Sequence, residues 1–223
     1  MNFLSHYYFD RSNPDPYQVM GGVLPDLVKN VRKDWTFRPE RRTPDNPSPE
    51  LFSILAGWKQ HISIDSIFHC SDFFVHHTAL IRTAIAPVLD RSPVRPSFLA
   101  HIALELMLDS LLQTEGIVDP DQFYDQLSKC SRASLEQFLA MNNADKPELF
   151  FPFLEEFIHS RYIHTYRDPV QIMYALNRIC MRLWDDPFTD TQKMQLTGFL
   201  PDYQERLKPV FMDIFDEIAL QLD

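Results

Sequence analysis

Apolar residues recur every three or four positions along most of the chain, which is the period of an amphipathic helix. Between 49 and 88 the recurring positions include Leu51, Ile54, Leu55, Trp58, Ile62, Phe68 and Phe73. An unbroken helix of that span is long for a globular protein, so a bend or break is expected near Gly57 or Cys70. The stretch 96–113 starts at a proline, ends before Gly116 and is the most hydrophobic of all, which predicts a helix through the core. A shorter helix is expected over 23–31, with Pro25 in its first turn, where a missing N–H costs little. Residues 1–10 suit either a helix or a buried strand, and 31–48 reads as a long loop. Further helices are expected over 119–141, 147–165, 168–183 and 189–219, with Asp168 before Pro169 as a cap and first-turn pair. The aromatic stripe within 147–166 suits a core face or a dimer face. The pattern thus predicts an all-α, single-domain helical bundle over 1–223. Residues 1–115 form the half with candidate chemistry, and 116–223 supply supporting helices.

Composition narrows this picture. A chain of 223 residues, 45% hydrophobic, can build a core without disulfides or structural metal. Five glycines beside seventeen prolines argue against a fold made of tight hairpins. A formal charge of −10 excludes broad nucleic-acid binding, which needs a positive footprint. One local exception is 29–42, with six basic and two acidic side chains; it suits a solvated loop or a docking edge for a phosphate group or acidic partner. Three scattered cysteines, no long apolar run and no charged leader followed by an apolar stretch point to a cytoplasmic protein without a membrane span.

Two rows of ionisable residues do not suit a plain core. His101, Glu105 and Asp109 recur at four-residue steps, on one face of the most apolar helix. Buried carboxylates are costly unless paired, hydrogen-bonded or bound to metal. His61, Asp65 and His69 repeat the spacing, and Asp72 and His76 extend the track, with His77 adjacent. Each row alone also suits an exposed polar stripe. Together, with six of the eight histidines at or before residue 101, they point to a divalent-metal site built between helices. His6 and Asp26 are ambiguous by spacing: a core histidine and a first-turn aspartate would look the same. His159 and His164 read as structural or surface groups.

The opening Met1-Asn2-Phe3-Leu4-Ser5-His6, the segment Gly22-Val23-Leu24-Pro25-Asp26-Leu27-Val28-Lys29, and Gly57 to His61 followed by Ile64-Asp65 resemble the acyl carrier protein phosphodiesterase family. Members carry Asn-Phe-Leu-Ala-His, Gly-x-x-x-Asp-x-Val-Lys and His-x-x-x-Asp elements in this order. The resemblance covers about residues 1–115. It implies an HD-domain-like fold similar to the metal-dependent phosphohydrolases, a Mn²⁺ cofactor, and release of 4′-phosphopantetheine from holo acyl carrier protein. It also implies His6, Asp26, His61 and Asp65 as metal and catalytic residues. The chain departs from the family where His69 stands in place of a second aspartate, with Asp72 three positions later. His101, Glu105 and Asp109 likewise replace an Asp-His-Phe-Leu element.

The expected chemistry is hydrolysis of a phosphodiester by a water that Mn²⁺, Fe²⁺ or Zn²⁺ acidifies and orients. His6, Asp26, His61, Asp65, His69, His101 and Glu105 are the candidate ligands. Asp65 or Asp26 is the candidate general base, and Lys33 or Arg38 would hold a phosphate oxygen. Acyl carrier protein is the expected partner, met as a monomer or homodimer, and the basic segment would have to offset the chain's negative charge. A small phosphorylated metabolite or nucleotide is the alternative substrate. A non-catalytic helical binding protein is the alternative of a different class, and it predicts that His6, Asp26, His61 and Asp65 do not converge.

Overall fold

Every regular element in the described part of the computed structural model, residues 1–42 and 44–222, is helical. Thr43, inside the loop expected over 31–48, lies outside the described residues. The helices are α1 (Phe3–Asp10), α2 (Pro16–Val31), α3 (Pro49–Cys70), α4 (Asp72–Ile85), α5 (Pro96–Thr114) and α6 (Pro120–Ser128). They continue with α7 (Arg132–Met141), α8 (Phe150–Ser160), α9 (Pro169–Cys180), α10 (Asp190–Leu207) and α11 (Phe211–Leu222). Short 3-10 turns stand at Pro39–Arg41, Pro147–Leu149 and Tyr162–Arg167.

Local chemistry accounts for the boundaries. The break after Cys70 comes at Ser71, whose hydroxyl accepts the Phe74 N–H and starts α4. Ser131 does the same for α7, so the stretch 119–141 is two helices rather than one. The 189–219 stretch is also split, into α10 and α11; Thr189 and Gln192 form a reciprocal capping box at the start of α10. The helix expected over 23–31 begins earlier, at Pro16, because Asp15 caps it by accepting the Tyr17 N–H. Pro25 therefore sits inside α2 rather than in its first turn. Gly116, at φ +69°, ends α5, with the Ile117 N–H donating to the Leu112 carbonyl.

The chain forms two compact units. One comprises Met1–Ser5, Ser66–Ile117 and the chain from Ile163 onward; the other comprises His6–Asp65 and Val118–Tyr162. In the first, α5 packs against α4, α9 and α10. Leu99, Leu104, Leu108 and Leu112 are buried, as expected of a core helix. In the second, α2 packs on α6 and α8, and Phe150, Phe151, Leu154 and Phe157 put the aromatic stripe into the core. Here α2 and α3 touch backbone to backbone. A Cβ on Gly21 would lie 2.2 Å from the Ile54 carbonyl oxygen, and one on Gly57 2.1 Å from that of Gln18.

Candidate metal centres

Among the described residues, two groups of histidine and carboxylate side chains offer ligand atoms within 4.8 Å of one another and could each hold a metal ion. His6, His61 and Asp65 form one, within the second unit; His69, His101 and Glu105 form the other, within the first.

The first group is built by α1 and α3. His6 and His61 are buried, and their rings stack with centroids 3.7 Å apart and planes 14° from parallel. His61 Nδ1 lies 2.8 Å from the Gly22 carbonyl oxygen. A carbonyl only accepts, so Nδ1 carries the proton, and Nε2 of the neutral ring is a bare lone pair. That lone pair is 3.6 Å from Asp65 Oδ2. The helix crossing supplies the carbonyl: glycines at 21 and 57 let α2 and α3 approach this closely.

His6 Nε2 is 3.3 Å from Asp65 Oδ1, without the alignment of a hydrogen bond, and Nδ1 has no hydrogen-bond partner. Burial, reinforced by His61, pushes the His6 imidazole down to about 3. Burial acts the same way on His61, but the Asp65 carboxylate and the charge of Asp26 outweigh it and hold that ring above its ordinary value. Burial would raise the Asp65 carboxyl, yet the two imidazoles hold it well below the usual carboxylate range. An ionised carboxylate beside two buried imidazoles, each with a ring nitrogen toward it, is a donor set that could hold a divalent cation.

In the second group, His69 Nε2 is 3.1 Å from His101 Nε2, and Glu105 Oε1 is 2.9 Å from His101 Nε2 and 3.6 Å from His69 Nε2. The Met1 amino nitrogen is 3.1 Å from the same Glu105 oxygen. Despite burial, that charge and the two imidazoles hold the Glu105 carboxyl well below its ordinary value.

The other expected residues are not members of these groups. Asp26 is half-buried on α2 and acts on His61 through its charge, but the ligand atoms that come together are those of His6, His61 and Asp65. Lys33 and Arg38 are exposed in the segment after α2. That segment is partly neutralised: Arg32 pairs with Asp34 and Asp145, and the Trp35 indole donates to Asp145 Oδ1 at 2.8 Å. Asp72 and His76 are exposed on α4, beyond the break at Ser71, and His77 bonds Tyr203.

Two carboxylates have structural work that the sequence reading did not assign. Asp109 is fully buried and accepts from Asn2 Nδ2 at 2.8 Å, the Leu4 N–H at 3.0 Å, and the Ser5 N–H and hydroxyl. It caps the first turn of α1 from another helix. Asp10 accepts from the Asn13, Gln18 and Gln60 amides. Its place four residues after His6 is the signal that marked the other rows. No protein-family model, no curated protein and no solved structure matches this chain.

Proposed function

We propose that the protein is a metal-dependent phosphodiesterase whose ion is held by His6, His61 and Asp65. The observation that carries this reading is the Gly22 carbonyl on His61 Nδ1, which leaves the Nε2 lone pair facing the Asp65 carboxylate. Without a cation between them, His61 meets Asp65 by holding a second proton on Nε2, the state its raised value favours, and a bound cation would take the place of that proton. A carbonyl on the far nitrogen is also what fixes the tautomer and orientation of a metal-ligating histidine.

Mixed nitrogen and oxygen donors suit Mn²⁺, Fe²⁺ or Zn²⁺ better than Ca²⁺. When bound, such an ion supplies Lewis-acid chemistry, acidifying water and stabilising charge on phosphoryl oxygens. The chain's own residues do the rest. Gly22 orients His61, stacking orients His6, and Asp65, kept ionised and 31% exposed, is reachable from solvent. Asp26 is a candidate to accept a proton, as a half-buried carboxylate acting on His61.

The substrate class rests on the resemblance to acyl carrier protein phosphodiesterases, which favours holo acyl carrier protein in the cytoplasm. Exposed Lys29, Lys33, Arg38, Arg41 and Arg42 are the docking edge that such an acidic partner would need.

The test pairs metal analysis of protein purified without added metal with hydrolysis of holo acyl carrier protein and of bis(p-nitrophenyl) phosphate, in Mn²⁺ and in EDTA. Activity on both substrates that EDTA removes and Mn²⁺ restores is expected. A folded chain inert under Mn²⁺, Fe²⁺ and Zn²⁺ would overturn the enzyme reading; activity on the small diester alone would overturn the carrier-protein substrate.

A further inference from the structure

The hydrolase reading leaves His69, His101 and Glu105 without a task. His69 lies in the last turn of α3, and His101 and Glu105 lie on successive turns of α5. The contact between the two imidazoles is unlike an ordinary helix ion pair. Their Nε2 atoms are 3.1 Å apart, so a hydrogen bond between them needs one of the two to present a lone pair. Both nitrogens also converge on one carboxylate oxygen, Glu105 Oε1, instead of dividing between two. Three possible ligand atoms thus form a triangle with edges of 2.9, 3.1 and 3.6 Å, the proton that now links them being the one a cation would displace.

Those edges are the size of one face of a coordination shell. Ligands at about 2.05 Å from a tetrahedral zinc ion stand about 3.3 Å apart. One ion therefore fits above the triangle with ordinary bonds and little movement of the side chains. Two histidines and a glutamate are a donor set used by zinc sites that keep a further position open.

Access fits as well. The side chains of His69 and His101 are 33% and 38% exposed. His101 also lines a solvent-open cavity of about 300 Å³ with Phe74, Thr78 and Arg82, where the arginine would favour an anionic ligand. The Met1 ammonium already faces Glu105, so the carboxylate is in use as an anion, and an incoming ion would compete with that ammonium.

We propose that His69, His101 and Glu105 form a second divalent-metal site of the zinc class, separate from the His6, His61 and Asp65 site. The full chain is stripped with chelator and reloaded with Zn²⁺ for stoichiometry, or with Co²⁺ for its visible d–d absorption. Two ions per chain are expected, falling to one in His101→Ala, one in His61→Ala, and none in the double variant. Glu105→Gln should weaken the same ion that His101→Ala removes. If His101→Ala keeps the wild-type stoichiometry and absorption while His61→Ala loses an ion, the second site is overturned and the first stands. The reverse pattern supports the second site and overturns the first. Should His101→Ala fail to fold by circular dichroism, His69→Gln gives the same comparison, and unchanged ion uptake there overturns the proposal.

Discussion

Asp109 takes both polar hydrogens of Ser5 on one carboxylate oxygen, the backbone N–H at 2.8 Å and the hydroxyl at 2.7 Å. Its other oxygen accepts from Leu4 and Asn2, so every neighbour is a donor. An amide there would turn an NH₂ toward N–H groups. Asp109→Asn is therefore expected to cost about 1.5–3 kcal/mol, the range of a hydrogen bond to a charged group, and Ser5→Ala about 1 kcal/mol. Urea unfolding measures both. An Asn variant as stable as the wild type would mean that Asp109 does not cap α1.

In the metal-free chain the two buried histidines should act on stability on opposite sides of about pH 6.5, the unfolded histidine value. His6, held down to about 3, stays neutral in the fold while the unfolded chain takes a proton. Its contribution is present above about 6.5 and is lost as pH falls toward about 3, at up to about 1.4 kcal/mol per pH unit. His61 is raised, so its contribution is present below about 6.5 and is lost as pH rises through the folded value. Asp109, which burial pushes up to about 6, works against His6 between about 4 and about 6. The signature is therefore a difference between curves measured in EDTA. Subtracted from the wild-type curve, His6→Gln should show the loss of a contribution that falls away toward acid pH, and His61→Gln of one that falls away toward alkaline pH; flat difference curves in both variants would contradict the assignment.

Gly57→Ala and Gly198→Ala should act in opposite directions. A Cβ at 57 meets the Gln18 carbonyl oxygen and the Gly22 nitrogen, so α2 and α3 must separate. A loss of at least about 1–3 kcal/mol is expected, with weaker metal binding as the Gly22 carbonyl leaves His61. Gly198 is exposed in α10 with nothing near its missing Cβ, and alanine there should stabilise by about 0.5–1 kcal/mol. Thermal melts and Co²⁺ titrations read both effects.

Asp65→Asn keeps the size of the side chain and removes the anion that both buried imidazoles face. Ion affinity should fall by more than the roughly 10–100-fold that losing a group bonded to a ligand costs. Isothermal titration with Mn²⁺ checks this, and an unchanged affinity would remove Asp65 from the ligand set.

Four-residue spacing alone brings much of the candidate site into view. It picked out His61 with Asp65 and His101 with Glu105, because a helix stacks such pairs on one face whatever surrounds them. It could not show that His69 joins His101 while His61 joins His6, since that pairing depends on which helices pack and where α3 ends at Cys70. Asp109 kept the period but serves backbone donors, because period reports a face and says nothing of what faces it. The helices themselves were legible in type, and their ends were not where short caps intervene. Ser131 divides α6 from α7 with one hydroxyl, a signal too small to stand out against a continuous apolar period.

The division of the chain into units bears on synthesis. His6, His61 and Asp65 all belong to the first 65 residues, but the unit that contains them is completed only by Val118–Tyr162. A growing chain thus exposes these three candidate ligand side chains well before α6, α7 and α8, the remaining helices of their unit, have left the ribosome. Contacts made so far along the sequence form slowly. Cleavage within 66–117 would not release that unit as a single fragment, so limited proteolysis should yield nicked, associated pieces rather than a separable domain.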